Sequence, residues 1–189
     1  MYNHDQYWCN DFNGIDNDPF NDITDNIYYR YFNNLANNKD FHSLLQFSKQ
    51  YICDEIKAKI INIYGDTSSG KSLLLTLLNK YVKSTTLKVT QLNKHILHHF
   101  NGRYIIVEVN DEPMYEYMNI IKEFTRNTYQ LDNYTYDADY KFVFLSKTKL
   151  PNYFSQYIHY VGLENKFNNS NIEFLLTEDL QALRDFILQ

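Results

Sequence analysis

Apolar side chains recur at four-residue steps from Ile23 through Ile27 and Tyr31 to Leu35, which predicts a helix over 23–37. A second helix, over 40–55, repeats the pattern with Phe41, Leu44, Leu45, Ser48 and Ile52, and Asn37-Asn38 supplies the turn between the two. Then the period changes. Lys59 to Tyr64 reads as a buried strand, and Lys71 to Val82 as a strongly apolar helix. Thr85 to Thr90 is β-branched and short, a second strand. Gln91 to Phe100 is helical and turns at Asn101-Gly102 into a strand from Tyr104 to Val109. Pro113 suits the start of a helix running from Met114 to Phe124. Lys141 to Ser146 is another buried strand and Tyr157 to Val161 one more. Thr177 to Leu188 closes the chain as a helix capped by Thr177, with Asp179 in its first turn.

Strands alternating with helices specify an α/β fold with a mostly parallel sheet, here preceded by a small helical segment. The division expected is a flexible acidic lead-in over 1–22, a helical pair over 23–56 and a core over 57–189. The lead-in is polar, rich in Asn and Asp, and interrupted by Gly14 and Pro19. A chain of 189 residues with 44% hydrophobic content can bury a sizeable core.

Charge changes the picture locally more than globally. The net charge of −5 excludes a protein that adheres to nucleic acid by overall attraction. Residues 1–29 carry Asp5, Asp11, Asp16, Asp18, Asp22 and Asp25 without a Lys or Arg. From Thr67 to Val107 there is no acidic residue, while Lys71, Lys80, Lys83, Lys88, Lys94 and Arg103 fall inside that span. Such a span is either a nucleic-acid face or a surface balanced by acids elsewhere in space. His95, His98 and His99 have a helical spacing that could suit a metal, but no third ligand stands near, so a surface helix is the simpler reading. Cys9 and Cys53 are too few for a zinc cluster and are expected as free thiols in a reducing interior. No apolar run reaches the ~20 residues of a membrane helix, so a soluble, intracellular protein without a membrane partner is expected.

The chemistry concentrates in Gly65-Asp66-Thr67-Ser68-Ser69-Gly70-Lys71-Ser72. A strand ending in a loop of backbone N–H donors, followed by a helix whose positive end faces the ligand, holds concentrated phosphate charge. The pattern GxxxxGK[ST] in this context predicts an ATP-binding loop. Gly65 and Gly70 let the backbone turn, Lys71 reaches the β- and γ-phosphates, and the Ser72 hydroxyl ligates Mg2+.

Hydrolysis further needs carboxylates at the tip of a neighbouring strand. Asn110-Asp111-Glu112 follows Tyr104 to Val109 at that place. Asp111 is assigned to the magnesium shell and Glu112 to the attacking water. Glu108 stays open as a third acid, since its side depends on strand register. The plainer alternative is an acidic helix start ahead of Pro113. After Lys141 to Ser146, Thr148 is the polar residue expected near the γ-phosphate, or else part of an ordinary turn before Pro151.

The order of IINIYGDTSSGKSLLLTLL, NGRYIIVEVNDE, IIKEFTRNTY and YKFVFLSKTKLP resembles the ATPase domain of superfamily 3 viral helicases, particularly the poxvirus-type primase-helicases. The resemblance covers about residues 23 to 167 and implies an AAA+-like P-loop NTPase fold. It also implies ATP hydrolysis in DNA replication, single-stranded DNA as a ligand, and assembly into a homo-oligomeric ring or with a larger replication protein. Host cytoplasm or nucleus would be its place in a viral setting. The chain departs from that family in three respects. Thr148 stands where the family has Asn, no Arg occurs between Asn127 and Leu183, and Tyr129 to Tyr140 lacks the basic residue of the family's hairpin. These departures point to a minimal or degenerate ATPase with reduced or no unwinding. A small P-loop nucleoside or nucleotide kinase is the competing enzyme class, although Arg30, Arg103, Arg126 and Arg184 form no cluster for a lid. A non-catalytic nucleotide-binding recruitment module is the third.

Overall fold

A computed structural model describes residues 27–36, 40–100, 102–109, 117–126, 128–138, 140–151, 158–163 and 179–189. The expected acidic lead-in, the Asn37-Asn38 turn, Asp111, Glu112, Pro113 and Thr177 lie outside the described residues.

The helical pair is present as α1 (Ile27–Leu35) and α2 (Phe41–Ile52). Ser48, which breaks the apolar stripe of α2, is buried because its hydroxyl donates back to the carbonyl of Leu44 at 2.9 Å. Then come β1 (Ile60–Tyr64), α3 (Lys71–Leu78) and β2 (Ser84–Lys88). A 3-10 turn at Val89–Gln91 leads to the short α4 (Lys94–His98) and to β3 (Tyr104–Glu108). The chain continues through α5 (Met118–Phe124) into a hairpin of β4 (Thr128–Leu131) and β5 (Tyr134–Asp137), turned at Asp132-Asn133, both with positive φ. It ends with β6 (Lys141–Ser146), β7 (Ile158–Gly162) and α6 (Leu180–Leu188).

Five strands form one parallel sheet in the order β2-β3-β6-β1-β7. The central β1, β3 and β6 are almost wholly buried, as strands covered on both faces must be. On one face Ile61, Ile63, Tyr104, Ile106, Val143 and Leu145 pack against α1, α2, α3 and α6. On the other, Ile60, Ile105, Val107, Phe142 and Phe144 pack against α4, α5 and the hairpin. The fold is therefore α/β with a parallel sheet, and the helical pair is built into the first of these cores.

Three local expectations shift. The α3 helix stops at Leu78 rather than Val82, because the next amides tighten to i−3 carbonyls, Lys80 to Leu77 and Tyr81 to Leu78, each at 3.1 Å. The α4 helix begins only at Lys94, where the side chain of Asn93 caps the amide of Ile96. The last helix begins at Leu180 and is capped by Asp179, expected inside its first turn, whose carboxylate accepts from the amide of Ala182 at 2.9 Å. Cys53 is disulfide-bonded and so is not the free thiol expected; the spacing of cysteines in a sequence carries no distance between them.

The N-terminal ends of the strands are tied together at Asp54. Its carboxylate pairs with Lys141 at 2.7 Å and Arg103 at 3.2 Å. Beside it the ring of Tyr104 stacks on that of Tyr51, centroids 4.0 Å apart. Burial raises the Tyr104 hydroxyl well above the ordinary tyrosine range, with the Asp54 carboxylate adding to it.

Candidate functional site

At the opposite, C-terminal edge of the sheet, β1 runs out into residues 65–70 and returns as α3. Gly65 has φ of 155°, and a Cβ there would lie 2.1 Å from the carbonyl oxygen of Leu163. Only glycine lets the chain leave β1 this close to the end of β7. Ser68 and Gly70 also take positive φ, 70° and 86°, and the amide of Ser69 closes a turn onto the carbonyl of Asp66 at 3.1 Å. This sequence of turns brings the chain to the first residue of α3 with the helix's unpaired amides at the loop.

The Lys71 ammonium turns back into the loop. It donates to the carbonyls of Gly65 and Asp66 at 2.5 and 2.7 Å and to the Ser69 hydroxyl at 3.1 Å. Burial lowers its pKa from the ordinary lysine value, against the opposing pull of the Asp66 carboxylate. Ser69 is buried, whereas Asp66, Thr67, Ser68 and Ser72 are exposed.

Strand order decides what flanks the loop. The loop leaves β1 between β7 on one side and β6 on the other, and β3 lies beyond β6. Tyr104 and Ile106 face the α3 side of the sheet, so alternation places Glu108 on that side too. Glu108 is the last residue of β3, half-buried and in register with Leu145. It is the acid that sequence reading left open because its side depends on strand register.

Thr148 is exposed just past β6. Its carbonyl accepts from the Ser146 hydroxyl at 2.7 Å, while the Ser146 carbonyl accepts from the Gly65 amide at 3.2 Å. The tip of β6 is thereby joined to the start of the loop. Ser72 in the first turn of α3 and Glu108 at the end of β3 carry hydroxyl and carboxylate oxygens, the donors that a hard cation such as magnesium takes. Among the described residues, no group of three or more His, Cys, Asp or Glu could hold a metal.

The span without acids is partly balanced by acids from elsewhere. Lys94 pairs with Glu123 at 2.7 Å and Arg103 with Asp54. His98 takes part in packing, with Nδ1 2.7 Å from the Tyr129 hydroxyl. No helix among the described residues is long and apolar enough to cross a membrane.

No protein-family model matches the chain, and no curated protein matches it. Solved structures do. The A form apo structure of the NrS-1 C-terminal region aligns over 86% of this chain and 43% of that chain, with a TM-score of 0.58 at 15% identity. JCV helicase aligns over 86% of this chain and 50% of its own, with a TM-score of 0.50 at 13% identity. An inhibitor-bound form of JCV helicase gives 0.51 over 86% of this chain and 49% of that one, at 13% identity. The chain spans half or less of the length of these neighbours. At such identities the likeness is one of fold, and it bears out the resemblance to helicase ATPase domains at that level. The chain has the fold of P-loop NTPase domains, with a parallel sheet. Within that class its solved likenesses include a helicase.

Proposed function

We propose that this chain is an ATPase of viral-helicase type that acts in DNA replication, with reduced or no unwinding of its own. The observation that carries the reading is the conformation of residues 65–72. Turns at positive φ end β1, and they set the Lys71 ammonium at the mouth of α3, beside the joined tip of β6. ATP is the substrate, and Gly65 through Ser72 bind its phosphates by backbone N–H groups, by Lys71 and by the Ser72 hydroxyl.

Magnesium, held by Ser72 with Asp111 or Glu108, would neutralise charge that develops on the phosphates. Glu112 orients and deprotonates the attacking water, and Thr148 hydrogen-bonds the γ-phosphate. The reaction transfers the terminal phosphoryl group to water and releases ADP and phosphate. Single-stranded DNA is the proposed nucleic-acid ligand. The absence of Arg between Asn127 and Leu183 means that a further partner, another copy of the chain or a larger replication protein, supplies any arginine that completes the site.

The test is steady-state ATP hydrolysis by the full chain with and without single-stranded DNA, beside Lys71→Ala. Turnover that rises with DNA and vanishes in the variant supports the ATPase. Tight nucleotide binding with background turnover would replace it with a non-catalytic recruitment module.

A further inference from the structure

The strand that leads into the loop carries one buried polar side chain that the proposed chemistry does not use. Asn62 lies in the middle of β1 and is completely buried. Ile60, two residues before it, faces the α4/α5 side of the sheet, so Asn62 faces that side as well. Its amide nitrogen donates to the Ser146 hydroxyl at 2.8 Å and to the Phe144 carbonyl at 3.3 Å. Its amide oxygen accepts from the Leu150 amide at 2.9 Å. Ser146, only 5% exposed, passes the chain of bonds on to the Thr148 carbonyl.

An isoleucine or valine would suit this strand position better if burial were its whole purpose, because an amide in a core costs free energy unless every donor and acceptor is satisfied. Here both are, and all of the bonds go to the segment 144–150. That segment has no ladder partner beyond Ser146, the last residue of β6. Its course from Ser146 to Leu150 is held by Asn62 and the Ser146 hydroxyl at the Ser146 end, and at the Leu150 end also by the Tyr160 hydroxyl, which donates to the Leu150 carbonyl at 3.0 Å. The same Ser146 receives the Gly65 amide, so the latch and the phosphate loop share one residue.

We infer that Asn62 and Ser146 are positioning residues, a buried latch that holds Lys147 and Thr148 at a fixed height beside the phosphate loop. The inference rests on the ATPase reading. The latch acts on turnover rather than on nucleotide affinity, because it supports the segment past β6 and leaves Lys71 and the amides of α3 untouched. Loosening it lets Thr148 move by a fraction of an ångström, a displacement to which a positioned catalytic group is sensitive.

The test uses the full chain and three variants: Ser146→Ala, Ser146→Thr and Thr148→Ala, with the double variant Ser146→Ala/Thr148→Ala. Turnover, the affinity for a fluorescent ATP analogue and the thermal midpoint are measured for each. Ser146→Ala is expected to lower kcat about tenfold, with nucleotide affinity held within about twofold, since it shifts the single Thr148 contact and leaves those of Lys71 and the loop amides in place. Ser146→Thr keeps the hydroxyl and is expected to recover most of the rate. The double variant should lose no more than Thr148→Ala alone, because both changes remove one action. Ser146→Ala turning over at the parent rate overturns the latch, and so do affinity and turnover falling together in that variant. If the parent chain binds the analogue but does not hydrolyse ATP, the ATPase reading falls and the latch's role falls with it. A parent that turns over beside an unaffected Ser146→Ala removes the latch alone.

Discussion

The ammonium of Lys71 donates to the carbonyl of Gly65 at 2.5 Å, closing the loop that its own residue terminates. A phosphate that takes this ammonium must draw it from carbonyl oxygens of the loop, exchanging neutral acceptors for charged ones. Lys71→Ala should therefore weaken nucleotide binding by about ten- to a hundredfold, the worth of a hydrogen bond between charged groups. The thermal midpoint without ligand should stay near that of the parent, because burial already disfavours the charged form of this side chain. Titration with a fluorescent ATP analogue and a melting curve check both halves.

Gly65→Ala addresses the backbone instead. The added methyl meets the Leu163 carbonyl at 2.1 Å, and the φ of 155° is one that a residue with a Cβ rarely adopts. Either β7 or the loop has to shift. A loss of about 2–4 kcal/mol is expected, seen as a fall of roughly 5–15 °C in melting midpoint. A variant that melts with the parent would show that β7 does not press on the loop.

The acid at the end of β3 can be separated from those that follow it. Glu108→Gln and Asp111→Asn are each expected to raise the magnesium concentration needed for half-maximal turnover. Glu112→Gln should lower kcat by about a hundredfold or more at saturating magnesium, as loss of a general base does. Magnesium titrations of the hydrolysis rate distinguish the three, and a Glu108→Gln curve identical to the parent's would remove that residue from the metal shell.

His159 stacks on Phe47, with ring centroids 5.5 Å apart, and its burial lowers its pKa below the ordinary value of 6.5. The unfolded chain then holds more protons than the folded chain between the two values, so folding stability rises with pH through that window. The contribution is complete above about 6.5 and is lost as pH falls through the folded value. Urea midpoints for the parent should drop more between pH 7.5 and pH 5.5 than those of His159→Gln. Equal drops would mean that the imidazole is not what titrates.

Asp54 lies at the far edge of the sheet from residues 65–72. Asp54→Asn removes the charged acceptor that Lys141 and Arg103 share and should cost about 1–2 kcal/mol of stability, the range for a partly exposed network of charged hydrogen bonds. Nucleotide affinity should not change. Chemical denaturation and analogue binding report the two separately, and a loss of affinity would contradict the separation of the two edges.

Much of the protein could be read from its sequence because the governing interactions are local. The stripe of Tyr31 and Leu35, the apolar run of β6 and the GxxxxGKS spacing each state a period or a turn within a few residues, and the structure keeps them as α1, β6 and the loop into α3. Helix ends were less legible. The end of α3 and the cap of α6 depend on competition between neighbouring amides and side chains, which propensity ranks only weakly. What only the tertiary structure decided is adjacency. No local pattern says that β6 enters between β1 and β3, and that insertion places Ser146 against Gly65 and Asn62. Nor does the sequence say on which face of the sheet Glu108 falls. In a parallel sheet the ladder partners come from distant parts of the chain, so both the neighbour and the register are set by packing across the whole core.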